Sequence, residues 1–209
     1  MEIINLTKNH PKTYFEDIAR IHRSELIQGA LQLLGLPFLS RLYLEITDIP
    51  ETGAWVAVDK DKVVGFITGA LNIKKSFRIL ILRSGIILLV LSLREILKPV
   101  VLKKIIDILK YPLTTKGSEF YITISSQQIN KPELLSIAVD KLFHGQGIGK
   151  RLVHEFEANL ISWGFHGKYF VSTDSANFGS NAFYKRLDFT PCGLEKVNNL
   201  IFQKYYKEI

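Results

Sequence analysis

One stretch in the second half of the chain constrains its fold most: an apolar run, ELLSIAV, that passes through three glycines into a helical pattern, GIGKRLVHEFEANLISWG. A strand that enters a helix through such a turn exposes the first backbone N–H groups of the helix, which lack intrahelical partners and lie at the positive end of its dipole. Gly145, Gly147 and Gly149 leave room for a ligand, and Lys150 and Arg151 add positive charge. The pattern fits a phosphate site, and it fits a plain tight turn equally well.

The rest of the chain alternates between strand and helix patterns. Apolar residues follow a period of two in the predicted strands and a helical period in the predicted helices. The further strands are MEIINLT, GAWVAVD, KVVGFITGAL, GKYFVSTD and two closing strands near FTPCG and LIFQKYY; the further helices are YFEDIARIHRSELI, PFLSRLYLEIT and NFGSNAFYKRL. Asp59 to Asp61 mark a hairpin turn between two of these strands. This organisation predicts one mixed α/β domain over residues 1–209.

Residues 71–118 differ in composition from the rest. They contain ten lysines and arginines against two acidic residues, so they hold the whole excess of a chain whose net charge is +7. Their aliphatic residues, interrupted by Pro99, predict two helices. The longest uncharged run, Ser84 to Leu93, is ten residues, about half of what a bilayer requires, so we predict no transmembrane span. The helices either pack on the core or on a second subunit as a homodimer, or they present a basic surface to an anionic acceptor or a membrane surface.

Charge and cysteine content indicate the partners and the compartment. The basic residues alternate with Ile, Leu and Val rather than with aromatic residues that stack on bases, so we expect no nucleic-acid partner. The single cysteine, Cys192, permits no internal disulfide, and we expect it to be a small buried side chain. The N-terminus lacks the basic and continuously apolar regions of a signal peptide, so a cytoplasmic location is expected.

Two motifs together resemble a known family. LLSIAVDKLFHGQGIGKRLV followed by NFGSNAFYKRLDF is similar, in order and separation, to the acetyl-CoA motif and the later Asn-to-Tyr helix of the GNAT superfamily of acyl-CoA-dependent N-acetyltransferases. The matching positions are Ile137, Ala138, Val139, His144, Gly145, Gln146, Gly147, Ile148, Gly149, Lys150, Asn177, Tyr184, Asp188 and Phe189. The resemblance implies a mixed α/β fold: a central, mostly antiparallel twisted sheet of about seven strands flanked by helices, with a two-helix insertion after the third strand.

The resemblance also implies a function. Acetyl-CoA would be the acyl donor, with the pantetheine arm along Ile137 to Val139, the pyrophosphate on the amides of Gly145 to Lys150, and Asn177 near the cofactor amides. The amine of a small-molecule acceptor would attack the thioester directly, and Tyr184 would donate a proton to the departing thiolate. No metal is required by this chemistry.

Some positions depart from the family pattern. His144 replaces the usual Arg or Gln, and Asp188 replaces a glycine, which Asp tolerates because it can adopt the left-handed conformation. Some relatives carry a Glu base where this chain has Ser172, so Glu133 is the best acidic substitute, with Asp174 behind it and water as an equal alternative. His22 on the first helix would border the acceptor region, although a structural role is typical of a lone helical histidine.

The acceptor is the least constrained element. The basic, apolar segment 71–118 favours an amine with an anionic part, such as an amino sugar on a phosphorylated carrier. A second class of function stays open, a non-catalytic CoA-binding regulatory or assembly module, because no base is evident at Ser172.

Overall fold

The computed structural model describes residues 1–26, 31–99, 131–197 and 200–209. Within these ranges the chain forms seven strands and five α-helices. The strands are β1 (Glu2–Asn5), β2 (Thr52–Asp59), β3 (Lys62–Ala70), β4 (Glu133–Val139), β5 (Lys168–Asp174), β6 (Thr190–Val197) and β7 (Leu200–Glu208). The helices are α1 (Lys12–Glu25), α2 (Leu36–Ile46), α3 (Ile73–Ile96), α4 (Ile148–Ser162) and α5 (Phe178–Arg186), with 3₁₀ turns at Leu31–Leu34 and Lys141–Phe143.

The seven strands make one sheet in the order β1-β2-β3-β4-β5-β7-β6. Every neighbouring pair is antiparallel except β4 and β5, which run parallel. The predicted fold class, a mostly antiparallel sheet of seven strands with flanking helices, is therefore confirmed. The turn between β2 and β3 lies where the sequence predicts it, with Lys60 and Asp61 at φ angles of 47° and 63°, as a tight hairpin of matching twist requires.

Strand β4 contains one extra residue relative to β3. Thr68 pairs with Ser136, but the next residue, Gly69, pairs with Leu134, so Leu135 has no partner in the register. A bulge of this kind shifts the alternation of side chains by one residue. Residues before and after it that would otherwise share a face of the sheet therefore point to opposite faces. Before the bulge Leu134 joins the core beneath α4, whereas after it Ala138 joins the core beneath α1 and α2.

Helices cover both faces of the sheet and create two apolar cores. One core lies between the sheet and α1 and α2, with Phe15, Leu39, Tyr43 and Phe66 among its buried members. In the other core, Phe156 of α4 lies between Trp55 of β2 and Tyr169 of β5, at ring-centroid distances of 5.7 and 5.5 Å. Strand β2 belongs to the half of the sheet formed by β1 to β4, and β5 to the half formed by β5, β7 and β6. This phenylalanine therefore joins the two halves.

Helix α3 is the described part of the segment 71–118. It is one helix of 24 residues that ends at Ile96, ahead of Pro99. The second helix predicted for this segment falls within residues 100–130, outside the described ranges. Among the described helices, α3 alone is long and apolar enough to cross a membrane by length and composition, and 28% of its most apolar window is buried in the protein.

Cys192 lies on the surface, and the expectation that it would be buried is wrong. It belongs to β6, which among the described strands pairs with β7 alone and forms an edge of the sheet. The register shifts between Pro191 and Gly193, so Cys192 is the extra residue of an edge bulge. Partial desolvation raises the pKa of its thiol, which disfavours the reactive thiolate.

Replacement of Gly69 by alanine tests the packing between β3 and α4. An added Cβ would overlap the ring of Phe156 and lie 3.0 Å from the carbonyl oxygen of Glu133. We expect Gly69→Ala to lower the free energy of unfolding by about 1–3 kcal/mol, measured by urea denaturation. Gly85→Ala in α3 is the control, because its Cβ would lie 3.6 Å from Ile81 Cγ2 and alanine favours the helix. Equal stability of both variants would contradict this account of the core.

Candidate functional site

Strands β4 and β5 separate from each other after a single pair of residues. Glu133 and Phe170 are paired, and the amide of Phe170 donates to the carbonyl of Pro132 at 2.9 Å. Beyond that point the register has no further β4–β5 pair among the described residues. The remaining residues of β4 therefore bond to β3 on one side and face the opening toward β5 on the other. We call this opening the β4–β5 cleft.

The glycine-rich turn lies at the end of β4 that borders this cleft. Gly145 and Gly147 have φ angles of 77° and 75°, and a Cβ added to either would meet no atom within 4 Å. Gly147 caps α4 without a side-chain hydrogen bond, and the first bond of the helix runs from the Arg151 amide to the Gly147 carbonyl at 3.1 Å. The amides of residues 148–150 therefore have no partner within the helix. The turn has the accessible donors that a phosphate group requires.

His144 does not extend toward these amides. Its Nε2 donates a hydrogen bond to the carbonyl oxygen of Val139 at 2.7 Å, and the same nitrogen lies 4.0 Å from Glu25. The ring thereby ties the start of the turn to the end of β4. The side chain that replaces the usual Arg or Gln thus fixes the loop onto the strand.

Asn177 begins α5 across the cleft. Its side-chain oxygen accepts a hydrogen bond from the Ser180 amide at 3.0 Å, so the residue caps the helix. Asp174, suggested from the sequence as a reserve base, accepts from the Ala176 amide at 2.7 Å and is buried, which is the arrangement of a turn-forming carboxylate. The reserve role of Asp174 as a base is therefore not favoured.

Asn181 organises the same turn and was not singled out from the sequence. Its amide nitrogen donates to the carbonyl oxygens of Asp174 and Asn177 at 2.9 and 2.7 Å, and its oxygen accepts from the Tyr205 hydroxyl at 2.8 Å. It connects the end of β5 to α5 and to β7. The position of one asparagine four residues after another is the signal in the sequence that could have identified it.

Tyr184 packs in the core beside α4. Its ring lies 5.3 Å from Phe183 and from Phe189 and 5.7 Å from Tyr205, and only 4% of the residue is exposed. Burial, with a smaller effect of Tyr205, raises the pKa of its hydroxyl, so the group stays protonated at neutral pH. Asp188, two residues after the end of α5, adopts the expected left-handed conformation with a φ of 64°. 

Glu133 occupies the point where β4 and β5 meet. Burial raises the pKa of its carboxyl to about 7, an effect that Lys204 opposes and Glu195 reinforces. Lys204 bonds to Glu195 at 2.5 Å and lies opposite Ser172 in the ladder between β5 and β7. The bulge at Leu135 places Glu133 on the face of the sheet that carries α1 and α2. A carboxyl with a pKa near neutrality can accept a proton at physiological pH.

His22 is a buried structural residue on the same face. Its Nδ1 lies 2.5 Å from the Tyr43 hydroxyl, and its ring stacks on Phe66. Burial lowers its pKa to about 4, so the ring is neutral at physiological pH. Tyr43 in turn bonds to Ser136 of β4. These contacts attach α1 and α2 to the strand that borders the cleft.

No group of three His, Cys, Asp or Glu side chains in the described ranges is close enough together to hold a metal ion. The donors brought to the cleft are instead backbone amides, hydroxyl groups and one carboxyl. Such a set suits an extended organic ligand with phosphate groups.

The sequence matches the model of the acetyltransferase (GNAT) family over residues 121–189. The assignment to the GNAT family rests on this stretch, about a third of the chain. The match includes β4, the glycine-rich turn, α4 and α5, so the GNAT resemblance seen in the two motifs is confirmed, and with it the class of acyltransferase. No curated protein matches the sequence.

Solved GNAT structures show the same fold at low sequence identity. A ribosomal-protein-alanine N-acetyltransferase from Brucella melitensis superposes with a TM-score of 0.60 at 15% identity, covering 100% of both chains. An aminoglycoside 6'-N-acetyltransferase from Enterococcus faecium gives 0.58 at 16% identity, covering 100% of this chain and 97% of the other. An aminoglycoside 6'-N-acetyltransferase complexed with coenzyme A gives 0.57 at 16% identity, with the same coverage.

The raised pKa of Glu133 predicts how a neutral replacement changes stability. The folded state holds the proton up to pH 7, whereas the ordinary pKa is 4.5, so wild-type stability falls as pH rises between these values. We expect Glu133→Gln to be more stable than wild type at pH 8 by about 1–3 kcal/mol, and the difference to vanish below pH 4.5. Urea denaturation across this range measures it. A constant difference at all pH values would show that the carboxyl titrates normally.

Proposed function

We propose that this protein, whose residues 121–189 match the GNAT family, transfers an acetyl group from acetyl-CoA to the primary amine of a small-molecule acceptor. The observation that carries the proposal is the combination of the β4–β5 cleft with the uncapped start of α4. An extended ligand can add to β4 as a further strand and end with its phosphates on the helix amides. Coenzyme A has this chemistry, because its pantetheine arm carries two amides and leads to a pyrophosphate.

The residues of the cleft fit this ligand. Ile137, Ala138 and Val139 have their free edge toward the cleft, and the open directions at Gly145 and Gly147 leave the amides of residues 145–150 accessible. Lys150 is exposed at the start of α4 and adds positive charge. The Asn177 oxygen is used in capping, which leaves its amide nitrogen to contact a cofactor carbonyl.

Acetyl-CoA supplies a thioester carbonyl that an amine can attack. In this proposal the Glu133 carboxylate accepts a proton from the acceptor ammonium, and the neutral nitrogen bonds to the carbonyl carbon. A backbone N–H of β4 polarises the carbonyl oxygen as the tetrahedral intermediate forms. The C–S bond then breaks, the Tyr184 hydroxyl gives its proton to the thiolate, and the second proton of the acylated nitrogen passes to the Tyr184 phenolate, which restores the hydroxyl. The pKa of about 7 at Glu133 suits a base at neutral pH, and burial keeps Tyr184 protonated as an acid must be.

We infer that the acceptor is a small amine with an anionic part or an amino sugar. Helix α3 begins three residues after Ala70, which pairs with Glu133, and its first turn carries Lys74 and Lys75. Lys75 is paired with Glu51, so Lys74 is the cation of this turn that we propose for an anionic part of the acceptor. Two of the solved structures described above are aminoglycoside acetyltransferases, and an amino-sugar acceptor would resemble an aminoglycoside.

We also propose a cytoplasmic location for the protein, which agrees with its single unpaired cysteine.

A non-catalytic CoA-binding module is the second candidate. Ser172 in place of a carboxylate and the packed ring of Tyr184 favour it, because both are compatible with binding in the absence of turnover. Activity measurements with Tyr184→Phe separate the two candidates.

Substitution of Gly147 tests the cofactor site. We expect Gly147→Trp to weaken acetyl-CoA binding at least about 30-fold by calorimetry, because the side chain would occupy the space above the helix amides. Gly164→Trp is the matched control, since Gly164 also has a positive φ, 79°, and an open Cβ direction, but lies beyond the other end of α4. Both variants should lose similar stability, about 1–3 kcal/mol. Equal binding by both would place the cofactor elsewhere.

Removal of the Tyr184 hydroxyl tests the proton donor. Tyr184→Phe keeps the ring that packs against Phe183 and Phe189, so we expect the fold and acetyl-CoA affinity to be preserved. We expect kcat with an amino-sugar acceptor to fall by about 100-fold, within the range for a lost general acid. Tyr169→Phe is the control for a buried hydroxyl in the same core, because Tyr169 donates to Glu157 at 2.6 Å and not to a residue of the cleft. Unchanged kcat would remove Tyr184 from the mechanism, and acetyl-CoA binding without any turnover in wild type would favour the non-catalytic module.

A further inference from the structure

The outer face of α3 carries an unusual amount of exposed apolar surface. Nine large apolar side chains between Phe77 and Leu97 are exposed: Phe77, Ile81, Leu82, Ile86, Ile87, Leu89, Val90, Leu93 and Leu97. Leu82 and Ile86, on the side away from the core, are 75% and 80% exposed. From Leu82 to Leu97 this face extends about 22 Å along the helix. Apolar patches of this size mark interaction surfaces.

Between residues 84 and 93 the inner face of the same helix is more polar than the outer face. Its buried positions recur every three or four residues and include three serines, Ser76, Ser84 and Ser92. Ser84 donates to Glu45 of α2 at 2.5 Å, and Ser76 lies 2.6 Å from the Thr52 hydroxyl. Water favours the opposite arrangement, with aliphatic side chains inside and hydroxyl groups outside. The distribution fits a helix whose outer side meets an apolar medium.

The contacts of α3 hold it against the domain along its length. Arg83 donates to the Asp48 carboxylate at 2.6 Å and to the Asp48 carbonyl at 2.9 Å, and Leu80 and Leu88 are buried in the core of α1 and α2. A helix docked in this way cannot cross a bilayer while the domain stays folded around it. It can lie in the plane of a membrane surface with its outer face in the acyl boundary.

Positive charge flanks the apolar face at both ends. Lys74 and Lys75 precede it, and Arg78 lies in its first turn. Arg94 and Lys98 lie at its C-terminal end, and all five side chains are exposed. Lys75 pairs with Glu51 and Lys98 with Glu95, so the three other cations carry most of this charge. Residues 85–93, between these two groups, contain no charged side chain. Basic residues next to an inserted apolar face bind the headgroups of anionic lipids.

We propose that α3 docks the protein on an anionic lipid bilayer through this outer face. The proposal is independent of the acetyltransferase function, since it uses none of the cleft residues. Charge disfavours a second copy of the chain as the occupant. Both ends of the helix are positive, so parallel and antiparallel pairing of two α3 faces would each bring like charges together.

Vesicle co-flotation of the full chain tests the proposal. We expect the protein to float with vesicles of phosphatidylcholine and phosphatidylglycerol, to bind pure phosphatidylcholine vesicles more weakly, and to bind less as salt increases. Leu82→Gln/Ile86→Gln removes apolar area without a change in charge, and we expect it to reduce binding at least about tenfold. Ile161→Gln/Leu194→Gln is the control, because both residues are exposed apolar side chains outside α3.

Two results would overturn the proposal. One is equal vesicle binding by the two double variants. The other is a wild-type dimer in sedimentation velocity that the α3 variant abolishes, together with no binding to either vesicle, which would assign the face to a second copy. Circular dichroism and acetyl-CoA calorimetry on the same variants separate lipid docking from the cofactor site, because we expect neither the fold nor acetyl-CoA affinity to change.

Discussion

The structure depends on how little β4 and β5 are joined. Strands β1 to β4 form one half of the sheet and β5, β7 and β6 the other, and Glu133 with Phe170 is the one register pair between the halves in the described residues. Helix α4 adds to the connection: Phe156 packs against rings from both halves, and Glu157 accepts a hydrogen bond from Tyr169 and pairs with Lys207. Between β4 and β5, side-chain contacts thus replace most of the backbone hydrogen bonds. The edge of β4 that faces β5 is therefore left free.

The bulge at Leu135 determines which side chains of β4 point to each face of the sheet beside that edge. An extra residue turns Glu133 and Ser136 toward α1 and α2 while Leu134 and Ile137 join the core beneath α4. Without it, the carboxyl and the hydroxyl would point to opposite faces of the sheet. One irregular residue therefore places a carboxyl of raised pKa and the Tyr43–His22 pair on the same side of the cleft.

Much of this arrangement follows from the sequence, and the exceptions have physical reasons. The bounds of β4 are evident because its apolar run stops at Asp140, and the turn is evident from the glycines that begin five residues later at Gly145. The bulge is not evident, because an extra leucine in ELLSIAV continues an apolar run without a break. Cys192 was expected inside because cysteine is usually buried, but the edge position of β6 depends on strand order, which local patterns do not encode. In α3, aliphatic residues lie on all sides of the helix. Composition alone therefore does not reveal that the side with the three serines is the one that packs against the domain.

The free edge of β4 also makes the ligand part of the architecture. A strand-like molecule in the cleft would supply hydrogen bonds that the polypeptide does not make with itself, next to the weakest connection between the two halves of the sheet. Occupancy would then act as a missing eighth strand. Part of the binding energy would then stabilise the folded domain, so the free energy of unfolding would rise with the concentration of ligand.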